Sequence, residues 1–232
     1  MTLYILGSPI GNLNDVSYRY LEVLSKLKYL VVEDTNKARK LLQLLQKRYP
    51  DQKLDNKELI AYYREVESKR ITQILNLLKE GRLVGLLSEA GMPGISDPGN
   101  LLVDSVQRYG FSIEPVPGPS ALTTALSLSG FSGKYCLFLG FIPKTQKDKR
   151  KLFQQIDHHN LAQSLNVVFF ESPKRIRESV SICQDLWPKA RLFLGNDLTK
   201  KNQSLVWSRL DKINLEQIKE KGEYTGVLYL KK

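Results

Sequence analysis

Cysteine, histidine, methionine and tryptophan each occur only twice in the 232 residues. Cys136 and Cys183 lie far apart and form no CxxC pair, which excludes a disulfide scaffold and a thiolate zinc site and fits a reducing compartment. The adjacent His158 and His159 have no further His or Cys at ligand spacing, so the pair reads as a solvated helix end and no metal is expected. No early segment joins a basic stretch to a long apolar one, and no run of about 18 apolar residues occurs, which predicts neither signal peptide nor membrane span and a cytoplasmic chain. Nucleotide fingerprints are missing as well. No GxGxxG follows the first apolar run and no GxxxxGK[ST] occurs, so Rossmann and P-loop readings fail on the residues themselves. Low-complexity tracts and short repeats are also lacking.

What is present is the composition of an ordinary globular protein, 42% hydrophobic and 25% charged, with a formal net charge of +11. Excess cationic charge attracts polyanions through counterion release whatever their sequence. A solvated lysine-rich face accounts for the charge equally well, because the lysines are spread along the chain.

Apolar patterning alternates between strand and helix. TLYILGS reads as a first strand, VSYRYLEVLSKL as a helix, YLVVED as a second strand and ARKLLQLLQKRY as an amphipathic helix. LIAYY, ITQILNLLKEG and RLVGLLSE continue the series, with Gly81 placed to close the second of these as a helix, and NLLVDSVQRYG and FSIEPVPG follow. Val- and Leu-rich strands alternating with helices predict an α/β fold with a mostly parallel sheet covered on both faces. After the stiff PVPGPS the pattern restarts with ALTTALSLSGF, KYCLFLGF, VVFFES, RLFLGNDL and GVLYLKK. The expectation is therefore an N-terminal α/β domain over 1–115 and a C-terminal one over 116–232, the latter ending in a strand that fits an antiparallel or mixed sheet.

The most distinctive stretch is SEAGMPGISDPG at 88–99, which packs three Gly, two Pro and two acids into the exit of a predicted strand. In open α/β sheets the ligand crevice lies outside the carboxyl ends of the strands, where glycine lets backbone N–H groups approach a ligand. Two further punctuated turns, SPIGN at 8–12 and PVPGPSA at 115–121, also follow predicted strands. Each alone reads as a tight turn; together they predict three strand ends converging on one site.

The ordered set SPIGNL, EDT, SEAGMPGISDPG, PVPGPSA, SGF, FLGFIP, ESPKR and DLTK, from Ser8 to Lys200, resembles the tetrapyrrole methylase superfamily. The resemblance covers nearly the whole chain, and it is strongest toward members that methylate a cytidine ribose 2′-hydroxyl of 16S rRNA in the 30S subunit. It implies two αβα domains with S-adenosylmethionine in a cleft between them, a homodimer, and no metal. By position it assigns Pro9, Ser88, Glu89, Ala90, Gly91, Ser120 and Ala121 to the cofactor. Glu33, Asp34 and Thr35 match the family's EDT, Glu171, Pro173 and Arg175 match a second charged cluster, and Lys200 ends a TK pair.

For a methyl transfer to a hydroxyl, which needs alignment and a proton acceptor, Lys200 or Glu33 is expected near the attacking oxygen, with Arg175 holding a phosphate. The alternative is that EDT and ESPKR serve as caps and ion pairs. Lys144, Lys147, Lys149, Arg150 and Lys151 form a basic stretch expected in a turn where an RNA backbone would lie, with a solvated loop as the equal alternative. Asn36, Glu89, Met92 and Asp197 depart from the family pattern, and LIAYYREVE lacks the His- and Asn-rich stretch of the ribosomal members. Those departures keep open a small-molecule (tetrapyrrole-like) or protein substrate, and a non-catalytic cofactor- or RNA-binding role.

Overall fold

The computed structural model describes residues 1–158 and 164–231, and His159 lies outside them. The described chain divides into two compact units, Met1–Ser120 and Ala121–Lys232.

In the first unit five strands alternate with four helices: β1 (Thr2–Leu6), α1 (Tyr18–Lys26), β2 (Tyr29–Val32), α2 (Thr35–Arg48), β3 (Glu58–Ala61), α3 (Glu67–Lys79), β4 (Leu83–Leu87), α4 (Asn100–Arg108) and β5 (Ser112–Val116). The strands form one sheet in the order β3-β2-β4-β1-β5, and every neighbouring pair is parallel. Alternate residues of these strands point to opposite faces, and each face has its own core. Leu6, Leu30 and Leu87 pack with Leu24 of α1 and Leu45 of α2. Leu3, Val31, Val84 and Leu86 pack with Leu78 of α3 and Val106 of α4. Each fully buried Leu of this kind contributes about 2 kcal/mol relative to exposure.

Local chemistry sets the helix ends. Ser17 Oγ accepts from the Tyr20 N–H at the start of α1, and Asp34 Oδ1 accepts from the Asn36 and Lys37 N–H groups at the start of α2, satisfying donors a helix start leaves free. The α3 and α4 helices end alike. Gly81 (φ +79°) and Gly110 (φ +73°) turn left-handed, so the Gly81 and Arg82 N–H groups reach Leu78 and Leu77, and those of Gly110 and Phe111 reach Gln107 and Val106.

The second unit holds α5 (Ala121–Ser129), β6 (Tyr135–Phe141), α6 (Gln146–His158), β7 (Leu165–Glu171), α7 (Ile176–Leu186), β8 (Arg191–Asn196), β9 (Ser204–Arg209) and β10 (Tyr224–Leu230). Its sheet is mixed, in the order β6-β7-β10-β8-β9: β6 and β7 are parallel, while β10 runs antiparallel to both β7 and β8, and β9 antiparallel to β8. Phe169, Val167, Leu194 and Leu228 fill its core against Ile176 and Val180 of α7 and Phe153 of α6.

Two features differ from the sequence expectations. β9, SLVWSR, is an additional strand; it lies at the sheet edge with Val206 and Trp207 exposed, so it lacks the buried run that marks the other strands. The basic stretch after Lys144 is not a turn: from Gln146 it is helical, since α6 places Phe153 and Ile156 on a buried face at helical spacing.

Candidate functional site

At the carboxyl end of the first sheet the three punctuated turns meet. The Gly7 N–H donates to the Val116 carbonyl at 3.1 Å, tying the β1 exit to β5, and Ser8 and Gly91 exchange both backbone hydrogen bonds, at 2.8 and 3.0 Å. Gly7 and Gly118 touch backbone to backbone: a Cβ at Gly118 would strike the Gly7 carbonyl oxygen, and one at Gly7 would fall 2.6 Å from the Gly118 Cα. Only bare backbone allows this approach. Within SEAGMPGISDPG, Gly91, Gly94 and Gly99 have φ of +79°, +79° and +139°. Ser96, a residue with a Cβ, is also left-handed at +68°. The glycines of this segment thus have a structural cause, which is a chain reversing several times over the end of β4.

Ser88 Oγ is buried and donates to the Gly91 carbonyl at 3.0 Å and the Ala90 carbonyl at 3.3 Å, so it shapes the loop. Pro9 and Gly91 are buried as well, whereas Glu89 and Ala90 are exposed. Ser120 closes the first unit and Ala121 opens α5 of the second. The far end of the loop is held by Glu67, a buried carboxylate whose Oε1 accepts the Gly99 N–H at 3.3 Å. Sequence reasoning did not single out Glu67; a charged residue at a helix start gives no sign of reaching a loop 32 residues away.

An acidic corner adjoins these turns. Glu33, at the exit of β2, titrates above the usual carboxylate range because it is partly desolvated and lies near Glu89, with Lys37 and Arg64 acting in the opposite sense. Asp97 is pushed up to about 6 by burial and then by Glu33 and Glu89, against a hydrogen bond from Ser88. Glu89 itself pairs with Lys37 at 2.5 Å. Asp97 is the second residue that sequence reasoning passed over: its spacing marked a turn, and only folding brings it beside two other acids. Asp34, the middle residue of EDT, is the cap of α2.

The second unit places its charged motif residues differently. Glu171 ends β7 with its side chain fully buried, and it pairs with Arg175 at 2.6 Å and Lys149 at 3.3 Å and accepts from Ser179 Oγ at 2.7 Å. The Lys149 side chain is fully buried too, with Glu178 at 3.4 Å. Lys149 is therefore removed from the basic RNA-facing set, because a cation with no exposed surface cannot touch a phosphate backbone. Arg150 is held by Asp185 at 2.6 Å, while Lys144, Lys147 and Lys151 are exposed.

Lys200 lies in the turn between β8 and β9, where Asp197 (φ +48°) and Thr199 (φ +65°) are both left-handed. Its Nζ sits 2.9 Å from Asp197 Oδ1 and 2.7 Å from Glu223 Oε2. Burial works to lower its pKa, but the hydrogen bonds to Glu223 and Asp197 outweigh burial and hold it above the ordinary lysine value. Lys200 is a cation, unsuited to accept a proton. Among the described residues no group of three or more His, Cys, Asp or Glu is disposed to hold a metal ion, and no described helix is long and apolar enough to cross a membrane.

Comparison with known proteins identifies this arrangement. Residues 2–214 match the family model of the tetrapyrrole (corrin/porphyrin) methylases. A ribosomal RNA small subunit methyltransferase I from Thermotoga maritima is 36% identical over 228 residues, 97% of each chain. Another so named, from a Hydrogenobaculum species, is 30% identical over 99% of this chain and 94% of its own. Among solved structures, diphthine synthase aligns with a TM-score of 0.66 at 13% identity, over 98% of this chain and 90% of its own. Uroporphyrin-III-C-methyltransferase from Thermus thermophilus aligns with a TM-score of 0.62 at 16% identity, over 97% and 93%. At these identities the two structures speak to the fold alone. The chain belongs to the tetrapyrrole methylases, and its class of activity is methyl transfer.

Proposed function

We propose that the protein transfers a methyl group from S-adenosylmethionine to the ribose 2′-hydroxyl of a cytidine in 16S rRNA of the 30S subunit, working in the cytoplasm as a homodimer. The observation that carries this reading is the end-to-end match to relatives named ribosomal RNA small subunit methyltransferase I, 36% identical over 97% of both chains in the Thermotoga maritima case. The surplus of 35 Lys and Arg over 24 Asp and Glu fits a polyanionic substrate.

The residues present fit the cofactor. At the end of β4 the joined turns leave Ala90 and Glu89 exposed, the latter paired with Lys37, and a polar nucleoside would meet them there. In this reading Pro9, Ser88, Glu89, Ala90, Gly91, Ser120 and Ala121 make up the cofactor loops, with Ser88 acting from within by fixing the turn. Bound there, S-adenosylmethionine would supply an activated methyl group on a sulfonium, with a neutral thioether as its leaving group.

The remaining work falls to side chains. A ribose hydroxyl must lose its proton as it attacks, and Glu33 takes it: its raised pKa brings it closer to the operating pH than an ordinary carboxylate. Lys200 stays protonated, its charge taken up by Asp197 and Glu223, and orders the turn between β8 and β9. Arg175 is committed to Glu171 through one nitrogen and orients the 172–175 turn; any phosphate contact it makes is secondary.

The test is transfer of labelled methyl from S-adenosylmethionine to 30S subunits lacking their native modifications, followed by nuclease digestion and mass mapping. A 2′-O-methylcytidine is expected. Saturable cofactor binding with no label in RNA would overturn the substrate and send the search to tetrapyrrole-like or protein acceptors.

A further inference from the structure

The acidic corner lies at the start of α2, and α2 has an exposed face unlike that of any other described helix in the chain. Its 14 residues, TNKARKLLQLLQKR, contain five cations and no acid. Leu42 and Leu45 hold the buried side. Asn36, Lys40, Gln43 and Lys47 follow one another at intervals of four, three and four along the opposite side, flanked by Arg39 and Arg48, and all six are exposed. Lys37, at the helix start, is drawn to Glu89. Among the described residues no carboxylate pairs with Arg39, Lys40, Lys47 or Arg48.

From Asn36 to Arg48 the row spans about 18 Å at 1.5 Å per residue. It ends at a cleft of about 370 Å³ lined by Arg48, Tyr49, Asp51, Leu21 and Tyr18. Tyr18 is 76% exposed, the most exposed of the large hydrophobic side chains among the described residues. A line of unneutralised cations leading to an uncovered ring is the chemistry that holds a single nucleic-acid strand, with cations on phosphates and an aromatic face on a base. An acidic protein partner would engage the cations but would leave the ring without a use.

We infer that the exposed face of α2, from Arg39 to the Tyr18 cleft, is the docking surface for a single-stranded segment of the substrate RNA, led from there toward Glu33. This rests on the proposed RNA reading and names where the strand lies. It also shifts the RNA contact away from α6, where Lys149 is buried and Arg150 is paired.

The test compares salt-dependent binding of a labelled single-stranded oligoribonucleotide by the whole protein and three variants. Arg39→Gln/Lys40→Gln/Lys47→Gln should lower the slope of log affinity against log salt by about 2, at roughly 0.7 per lost phosphate contact. Tyr18→Ala should weaken binding roughly tenfold and leave the slope unchanged. Lys144→Gln/Lys147→Gln/Lys151→Gln should behave as wild type. S-adenosylmethionine affinity and melting temperature should be the same in all, since every changed residue is exposed. If the α2 triple variant keeps the wild-type slope, or the α6 triple variant loses it, the docking surface is wrong, while methyl transfer to 30S subunits by the wild type would leave the functional reading intact. If the wild type neither binds the oligoribonucleotide nor methylates 30S subunits, both fall together.

Discussion

The two sheets treat acids at their strand ends in opposite ways. At the end of β7 in the second unit, Glu171 is fully buried and surrounded by Lys149, Arg175 and Ser179, every partner within 3.3 Å. At the ends of β2 and β4 in the first unit, burial and then the nearby acids raise the pKa of Glu33 and Asp97, and among the described residues Lys37 is the only cation in ion-pair contact with these acids, on Glu89. An acid buried with its cations cannot lose a partner without destabilising the fold, and acids left facing each other cost stability for the sake of chemistry. The same residue types therefore do different work, and substitutions in the two places should fail in different assays.

The largest difference is expected at Glu33. Glu33→Gln keeps the shape, removes the proton acceptor and relieves repulsion. The rate of methyl transfer to 30S subunits should fall about 10²- to 10⁴-fold, with cofactor affinity retained and urea stability equal to or above wild type. Single-turnover transfer beside a urea titration separates the two effects; a wild-type rate would remove Glu33 from the chemistry.

In the second unit the order reverses. Lys149→Met leaves Glu171 buried with one of its two cations gone, and removing a partner from a buried ion network costs about 3 kcal/mol or more. The loss should appear as a lower urea midpoint. Lys149→Met/Glu171→Gln should recover part of it, because the uncompensated charge is gone, and that coupling marks a network. A single-variant loss under about 1 kcal/mol would mean that water reaches Glu171 and that the contrast between the two sheet ends is weaker than drawn.

The sequence carried the strand–helix alternation plainly, because strands such as LVGLL and VVFF are buried on both faces and helices such as ITQILNLLKEG carry their own stop in Gly81. The three converging turns were legible for the same kind of reason: φ angles near +79° and the Gly7–Gly118 contact demand glycine, and glycine can be read. Side-chain partnerships across the chain could not be read. Lys149 looked like one of five surface cations until α6 turned it inward onto Glu171, and Lys200 looked like a base until the turn brought Asp197 and Glu223 to it. Glu67 and Asp97 acquire their meaning from neighbours more than 25 residues away or across the sheet end, and β9 lacks the buried run that marked the other strands.

Asp97 gives the finest test of the comparison, since its effect depends on pH. Burial, and then Glu33 and Glu89, raise it to about 6 from the usual 3.8. The folded protein thus binds this proton more tightly than the unfolded chain. The contribution is intact below the unfolded pKa, is lost as pH rises from about 4 to about 6, and stays lost above that. Asp97→Asn carries no charge to repel, so it should be more stable than wild type by about 1 kcal/mol near neutral pH, a figure reduced for the partial exposure of the side chain. At about pH 4.5 most of that advantage should vanish. Urea midpoints of both proteins at about pH 4.5 and about pH 7.5 measure it directly. An advantage of equal size at both pH values would trace to packing, and the acids of the first sheet would then be as well compensated as Glu171. An advantage confined to the higher pH, and reduced in a Glu33→Gln background, would show that the acids of the first sheet act on one another.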